Sequence, residues 1–174
     1  MAEITYIDSR RGTGLTQKSA KGVRTDIVHC LMIPLENDNL LLPNTAVAEV
    51  VAYHAPEPMR DAPEWFLGWM PWRELRVPVI SFESAIGGRS CPPASSSRIA
   101  VVNTLNGNRR VPYIGVLSQG IPQLRMIHDA NVVPNEEVSV PAPSVASYAR
   151  YNDAPVLVPD IDDLEIRLER LLQG

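Results

Sequence analysis

The residues of this chain that could do chemistry are few and far apart. Its imidazoles are His29, His54 and His128, and its thiols are Cys30 and Cys91. A metal centre needs such groups at short, repeated spacings, and the histidines have no such spacing to a cysteine or carboxylate. His29 and Cys30 are neighbours, but adjacent residues of a strand point to opposite faces. Cys91 lies in a loop ahead of Pro92–Pro93 with no histidine near it in sequence to favour a thiolate, so it reads as an inert thiol. The stretch RRGTGLTQKS holds glycines and a lysine, yet it departs from GxxxxGK[ST] and no strand precedes it, so it is not a phosphate loop. Ser95–Ser96–Ser97 lacks the flanking glycines of a nucleophile elbow. The carboxylates of DIDDLE serve a helix terminus, and Glu136–Glu137 a solvated turn. The expectation is a protein with no catalytic residue, no metal and no cofactor.

The elements that carry these residues follow from composition and pattern. The chain has 174 residues and a mass of 19.2 kDa, 45% apolar and 21% charged, which is a globular composition for one domain. No apolar run approaches the roughly 18 residues needed to span a bilayer, so no membrane insertion is expected. Two cysteines are too few for a disulfide framework, which points to a reducing, cytoplasmic setting. Sixteen prolines, nearly twice the usual share of about 5%, argue for short strands and bends over long helices. Charge is uneven: residues 1–25 hold Arg10, Arg11, Lys18, Lys21 and Arg24 against Glu3 and Asp8, a local +3 within a net −4. This polar, glycine-punctuated segment reads as a flexible leader, and the remaining acidic body is a poor partner for nucleic acid. A basic arm on a small barrel that binds single-stranded nucleic acid is the alternative reading.

Order is expected from Asp26. DIVHCLMIPLE reads as a strand, ENDN as a turn and LLLP (40–43) as its return, after which Asn44 caps one helical turn and Val47, Val50 and Val51 enter another strand. HAPEPMRDAP is an extended loop. WFLGWMPW and RVPVISFE are strands separated at Glu74 and Leu75, and IGGRSCPPASSS is a loop that divides the chain near residues 86–97. RIAVVNTL and RRVPYIGVLS follow as a hairpin, for which Asn106–Gly107 offers a type I′ turn. QLRMI and the following VVPNEEVSVPAPS continue as strand and irregular segments, and APVLVPD is a last short strand. At the end, Asp160 stands as N-cap, Asp162 and Asp163 in the first turn and Arg167 and Arg170 in the last, with Ile161, Leu164, Leu168 and Leu171 forming one apolar stripe and Asp163–Arg167 an i,i+4 pair. Nine or ten short strands, one helix and a break near residue 90 suggest an all-β chain of two small barrels.

The segment APEWFLGWMPWRELRVPVISFE (62–83) resembles the CheW-like domain of bacterial chemosensory coupling proteins. In that family a proline-acidic-aromatic loop leads into a strand that starts with glycine, then an Arg-Gly turn, then a strand with proline at its second position. Gly68, Arg73 and Pro78 fall at this spacing. LLLPNTAVAEVV (40–51) is similar to an upstream family segment, with Val47 and Glu49 in register. RIAVVNTLNGNRRVPYIGVLSQGIPQL (98–124) and APVLVPDIDDLEIRL are similar to the family's later hairpin and closing helix. Glu74 stands where the family has Gly, Ser81 where it has Asp, and Ser118 near a second family Asp, while Ala149 or Arg150 occupies the region of a late glycine.

The resemblance implies two five-stranded SH3-like barrels about a shared core over residues 26–172, with a terminal helix. It implies a non-catalytic adaptor whose partners are a chemoreceptor's cytoplasmic domain and the regulatory domain of a histidine kinase. The departures suggest an accessory member of the kind associated with type IV pili. Carried over residue by residue, Arg73 and Glu49 are candidate contacts with Val47 beside them, and Gly68 and Pro78 are structural. Of Trp65, Trp69 and Trp72, alternation puts the first two on one face and Trp72 on the other. Trp69 and Trp72 are added to the candidate protein-binding residues, since an exposed tryptophan marks a binding patch.

Overall fold

The computed structural model describes residues 27–128, 130–138 and 142–173; the leader at 1–25 and the start of order at Asp26 lie outside the described residues. The elements run β1 (Val28–Pro34), β2 (Asn39–Pro43), one 3-10 turn (Asn44–Ala46), β3 (Val47–Ala52), β4 (Phe66–Trp72), β5 (Leu75–Ile80) and α1 (Phe82–Ala85). They continue with β6 (Arg98–Asn103), β7 (Tyr113–Ser118), β8 (Gln123–Ile127), β9 (Val132–Pro134), β10 (Val145–Tyr151), β11 (Ala154–Pro159) and α2 (Ile161–Gln173). Two sheets result, six strands in the order β8-β1-β2-β11-β10-β9 and five in the order β3-β6-β7-β5-β4.

Every strand of the five-stranded sheet contributes to one apolar cluster, including Met70, Trp72, Val77, Val79, Ile99 and Val101, so the sheet curls around its own interior. A reciprocal bridge between Glu57 and Trp69 ties the chain after β3 to β4 and helps close the curl. The six-stranded sheet likewise encloses Cys30, Leu41, Ile127 and Val156, with Met32, Val132, Ala149 and Tyr151 packed against them. The opposite faces of both sheets meet in a third, largest cluster with the two helices: Leu31, Ile33, Leu40, Phe66, Ile80, Val102 and Leu157 from strands, Phe82 from α1, and Leu164 and Leu168 from α2. Strands buried on both faces read as apolar runs instead of alternating ones, which is why LLLP and AVVN look as they do. One of the two barrels therefore has six strands, not five.

The division expected at 86–97 is corrected by the topology. That loop joins α1 to β6, and β5 and β6 both belong to the five-stranded sheet. The chain starts the six-stranded sheet with β1 and β2, builds the five-stranded one completely, and returns for β8–β11. The barrels are nested in sequence, not consecutive.

Five local expectations are corrected too. The β6–β7 hairpin exists, with Asn103 opposite Tyr113, but residues 104–112 loop out and only Gly107 of the Asn106–Gly107 pair has positive φ. Val111 is drawn into the core, and Asn106 donates to Asp162 and Glu165 of α2, so tertiary contacts replace the two-residue turn. RVPVISFE ends as a strand at Ile80; Ser81 then caps α1, its Oγ accepting from the Ser84 N–H at 3.4 Å. Serine thus fills a cap position that aspartate would fill as well. The 3-10 turn at Asn44–Ala46 is present, but no side chain caps it. In α2 the Asp160 carboxylate caps Asp163 N–H at 2.9 Å as expected. Asp163 and Arg167 meet through Ser144 Oγ, which donates to Asp163 at 2.6 Å and accepts from Arg167 at 2.7 Å, and only Arg170 stands in the last turn.

Candidate functional site

The β4–β5 hairpin sets the site. Its turn is Arg73–Glu74, one residue earlier than the Glu74–Leu75 expected, and Trp72 pairs with Leu75. Both turn residues have positive φ, 45° and 63°, the type I′ geometry whose twist matches that of the strands. The turn therefore keeps the form that glycine at 74 favours, without the glycine. Within β4 a bulge falls between Phe66 and Gly68. Gly68 has φ 133°, and a Cβ there would stand 2.2 Å from the Glu57 carbonyl oxygen, so only glycine lets the bridge to β4 form. Trp69 turns its N–H and C=O toward Glu57, so Pro71 two residues on faces the same way, and Pro78 lies opposite Trp69. Both prolines thus avoid the hydrogen bonds between β4 and β5.

Trp65 and Trp69 lie on one face and Trp72 on the other, as read, while the bulge between Phe66 and Gly68 brings Phe66 onto the face of Trp69. Trp69 packs with Phe66 against the core between the barrels, ring centroids 5.7 Å apart, and Trp65, just before β4, packs on the same core under the Arg167 guanidinium. Trp72 points into the five-stranded barrel and is only 8% exposed, edge-on to Tyr113 at 4.8 Å. None of the three is an exposed aromatic patch.

Glu49 and Arg73, named from the sequence as separate candidates, are brought together. Glu49 lies in β3, the edge strand paired only with β6. Its Oε2 accepts from Arg73 Nη2 at 3.1 Å and from the indole N–H of Trp72 at 2.9 Å. The Arg73 guanidinium also lies over the Trp72 ring, 4.6 Å from its centroid. The ion-paired side chains are 65% (Arg73) and 42% (Glu49) exposed, with Trp72 beneath them. Glu83, the other carboxylate close to Arg73 in sequence, is buried and accepts from Ser81 Oγ and Glu36 N–H, both at 3.1 Å. Val47 starts β3, half-buried against the core between the barrels.

A second Glu–Arg–Trp arrangement, which sequence reasoning missed, lies along the same hairpin. Arg76 bonds Glu57 at 2.7 Å and lies 5.4 Å from the Trp69 ring centroid. Its signal was the matched spacing of arginines at 73 and 76 and of tryptophans at 69 and 72.

Where the barrels meet, a groove of about 450 Å3 is walled by Pro43, Ala46, Leu105, Val158 and Ile161, with Asp160 and Asp162 at its border. Elsewhere, burial, then the charge and hydrogen bond of Glu36 and the charge of Glu83, hold the Cys91 thiol above its ordinary value, which makes it a poor nucleophile at neutral pH. Among the described residues no group of three or more His, Cys, Asp or Glu side chains could hold a metal, and no helix is long and apolar enough to cross a membrane.

The molecule is thus two nested β-barrels with a capping helix, and an exposed ion pair joins the β4–β5 turn to the edge strand β3. The CheW-like domain model matches residues 29–167, and the chain belongs to that family. Among solved structures it is similar to the scaffolding protein TtCheW from Thermoanaerobacter tengcongensis, with 20% identity and a TM-score of 0.63 over 76% of this chain and 88% of that one. A comparison with curated proteins finds no match.

Proposed function

We propose that this protein is a non-catalytic adaptor that couples the cytoplasmic tips of chemoreceptors to a sensor histidine kinase, in chemotaxis or twitching-motility signalling. The observation that carries this reading is the Glu49–Trp72–Arg73 arrangement on the exposed edge of the five-stranded barrel. Arginine suits such a place because its planar fork meets a carboxylate or carbonyl in fixed geometry. The kinase's regulatory domain contacts this edge barrel to barrel, and the receptor's helical tip lies in the apolar groove between the barrels. Family membership supports the reading, since the domain family is that of chemosensory scaffolds.

The test is capture from the protein's own cells by tagged wild type and by Arg73→Ala. Wild type is expected to retain a kinase and a receptor, and the variant to lose the kinase at least tenfold, an effect on the order of that of an interface hot spot. Wild type that retains neither at micromolar concentration overturns the proposal. Leu105→Arg, at the 64% exposed groove residue, is expected to lose the receptor while keeping the kinase.

A further inference from the structure

An exposed ion pair holds its two side chains weakly, because each gives up rotamer freedom for a contact that water screens. Arg73 and Glu49 have a second constraint in common. Trp72 is buried in the barrel's apolar cluster and edge-on to the Tyr113 ring, which fixes its indole in place. Its N–H reaches Glu49 Oε2, and its face lies beneath the Arg73 guanidinium. One buried ring thus fixes both exposed charges. Because Oε2 takes both donors, Glu49 Oε1 and the Arg73 N–H groups other than those on Nη2 have no hydrogen-bond partner among the described residues. An acceptor and a set of donors are left side by side.

We propose that Trp72 is the positioning residue of this edge: it acts on the partner through Glu49 and Arg73 and does not itself touch it. The partner then carries a carboxylate or carbonyl for Arg73 next to a hydrogen-bond donor for Glu49. This inference rests on the adaptor reading.

Trp72→Phe keeps an apolar ring in the barrel and removes the indole N–H. The probe is the purified regulatory domain of the histidine kinase from the same cells, titrated calorimetrically against the full chain. Trp72→Phe is expected to weaken binding roughly five- to tenfold, the size of effect seen between coupled neighbours. In a Glu49→Ala background the same change is expected to alter affinity less than about twofold, because the group it acts through is gone. A change confined to stability would act equally in both backgrounds and overturns the inference. Should Trp72→Phe unfold the barrel, the exposed Glu49→Ala alone remains as the variant: the Trp72 indole N–H resonance is expected to move on this substitution. An unmoved resonance overturns the inference. Arg73→Ala that binds as wild type removes the adaptor site itself; Arg73→Ala that fails while Trp72→Phe binds as wild type removes only the role of Trp72. A wild type with no affinity for the kinase domain overturns both.

Discussion

At single positions the backbone decides more than side-chain chemistry does. Glu74 sits at φ 63° with a Cβ that the left-handed region disfavours by about 1–2 kcal/mol. Glu74→Gly is expected to recover about 1 kcal/mol and raise the melting temperature by about 2–4 °C, measured by calorimetry with binding unchanged. Gly68 is the opposite case. Gly68→Ala sets a Cβ against the Glu57 carbonyl and is expected to cost about 2 kcal/mol or more, read as a lowered urea midpoint. Cys30 gives a pH signature. Burial raises its thiol above the ordinary 9.0, so below that pH both folded and unfolded chains keep the proton. Above it the unfolded chain releases the proton while the folded one holds it, and stability falls as pH rises through the folded value. Urea melts at pH 8 and pH 10 are expected to show a smaller alkaline loss for Cys30→Ala than for wild type. The glycine was legible from its place in the hairpin motif. The pairing of Glu49 with Arg73 was not, because 24 residues separate them and only barrel closure brings them together.

Elements read well where one local rule governed and poorly where distant contacts did. The terminal helix had its cap and apolar stripe in its own sequence and both came out as read, while Arg167 left the last turn and its pairing with Asp163 for contacts elsewhere. The strand Val145–Tyr151 went unread because its SVASYARY pattern is weak, although Asn152–Asp153 behind it holds positive φ at both residues, a type I′ turn. The better-looking Asn106–Gly107 was overridden by α2. Docking of α2 rests on Leu164 and Leu168, both fully buried, and on Arg167, whose guanidinium reaches the Ala85 carbonyl at 2.9 Å and lies 4.8 Å from the Trp65 ring centroid. Leu168→Ala is expected to cost about 2–5 kcal/mol by chemical denaturation, since the cavity would lie between two sheets that cannot both collapse into it.

At the scale of the whole molecule, nesting ties the barrels to one another. Composition and proline count fixed the strand-rich class, but the order in which strands enter sheets is carried by long-range pairing that no local signal states. The most loop-like stretch, 86–97, suggested a boundary for that reason. Cutting the chain there tests the topology directly. The first fragment would hold β1–β5 and the second β6–β11 with α2, so each sheet would be divided between them. Neither fragment could pair β3 with β6, β5 with β7, β1 with β8 or β2 with β11, and each would expose its share of the core between the barrels. Each alone is expected to lack a cooperative thermal transition and dispersed amide resonances. Mixed in equal amounts, the two are expected to regain both, because every pairing then becomes available between chains. A first fragment that folds alone would mean that residues up to the loop form an independent barrel, and the nested arrangement would be wrong.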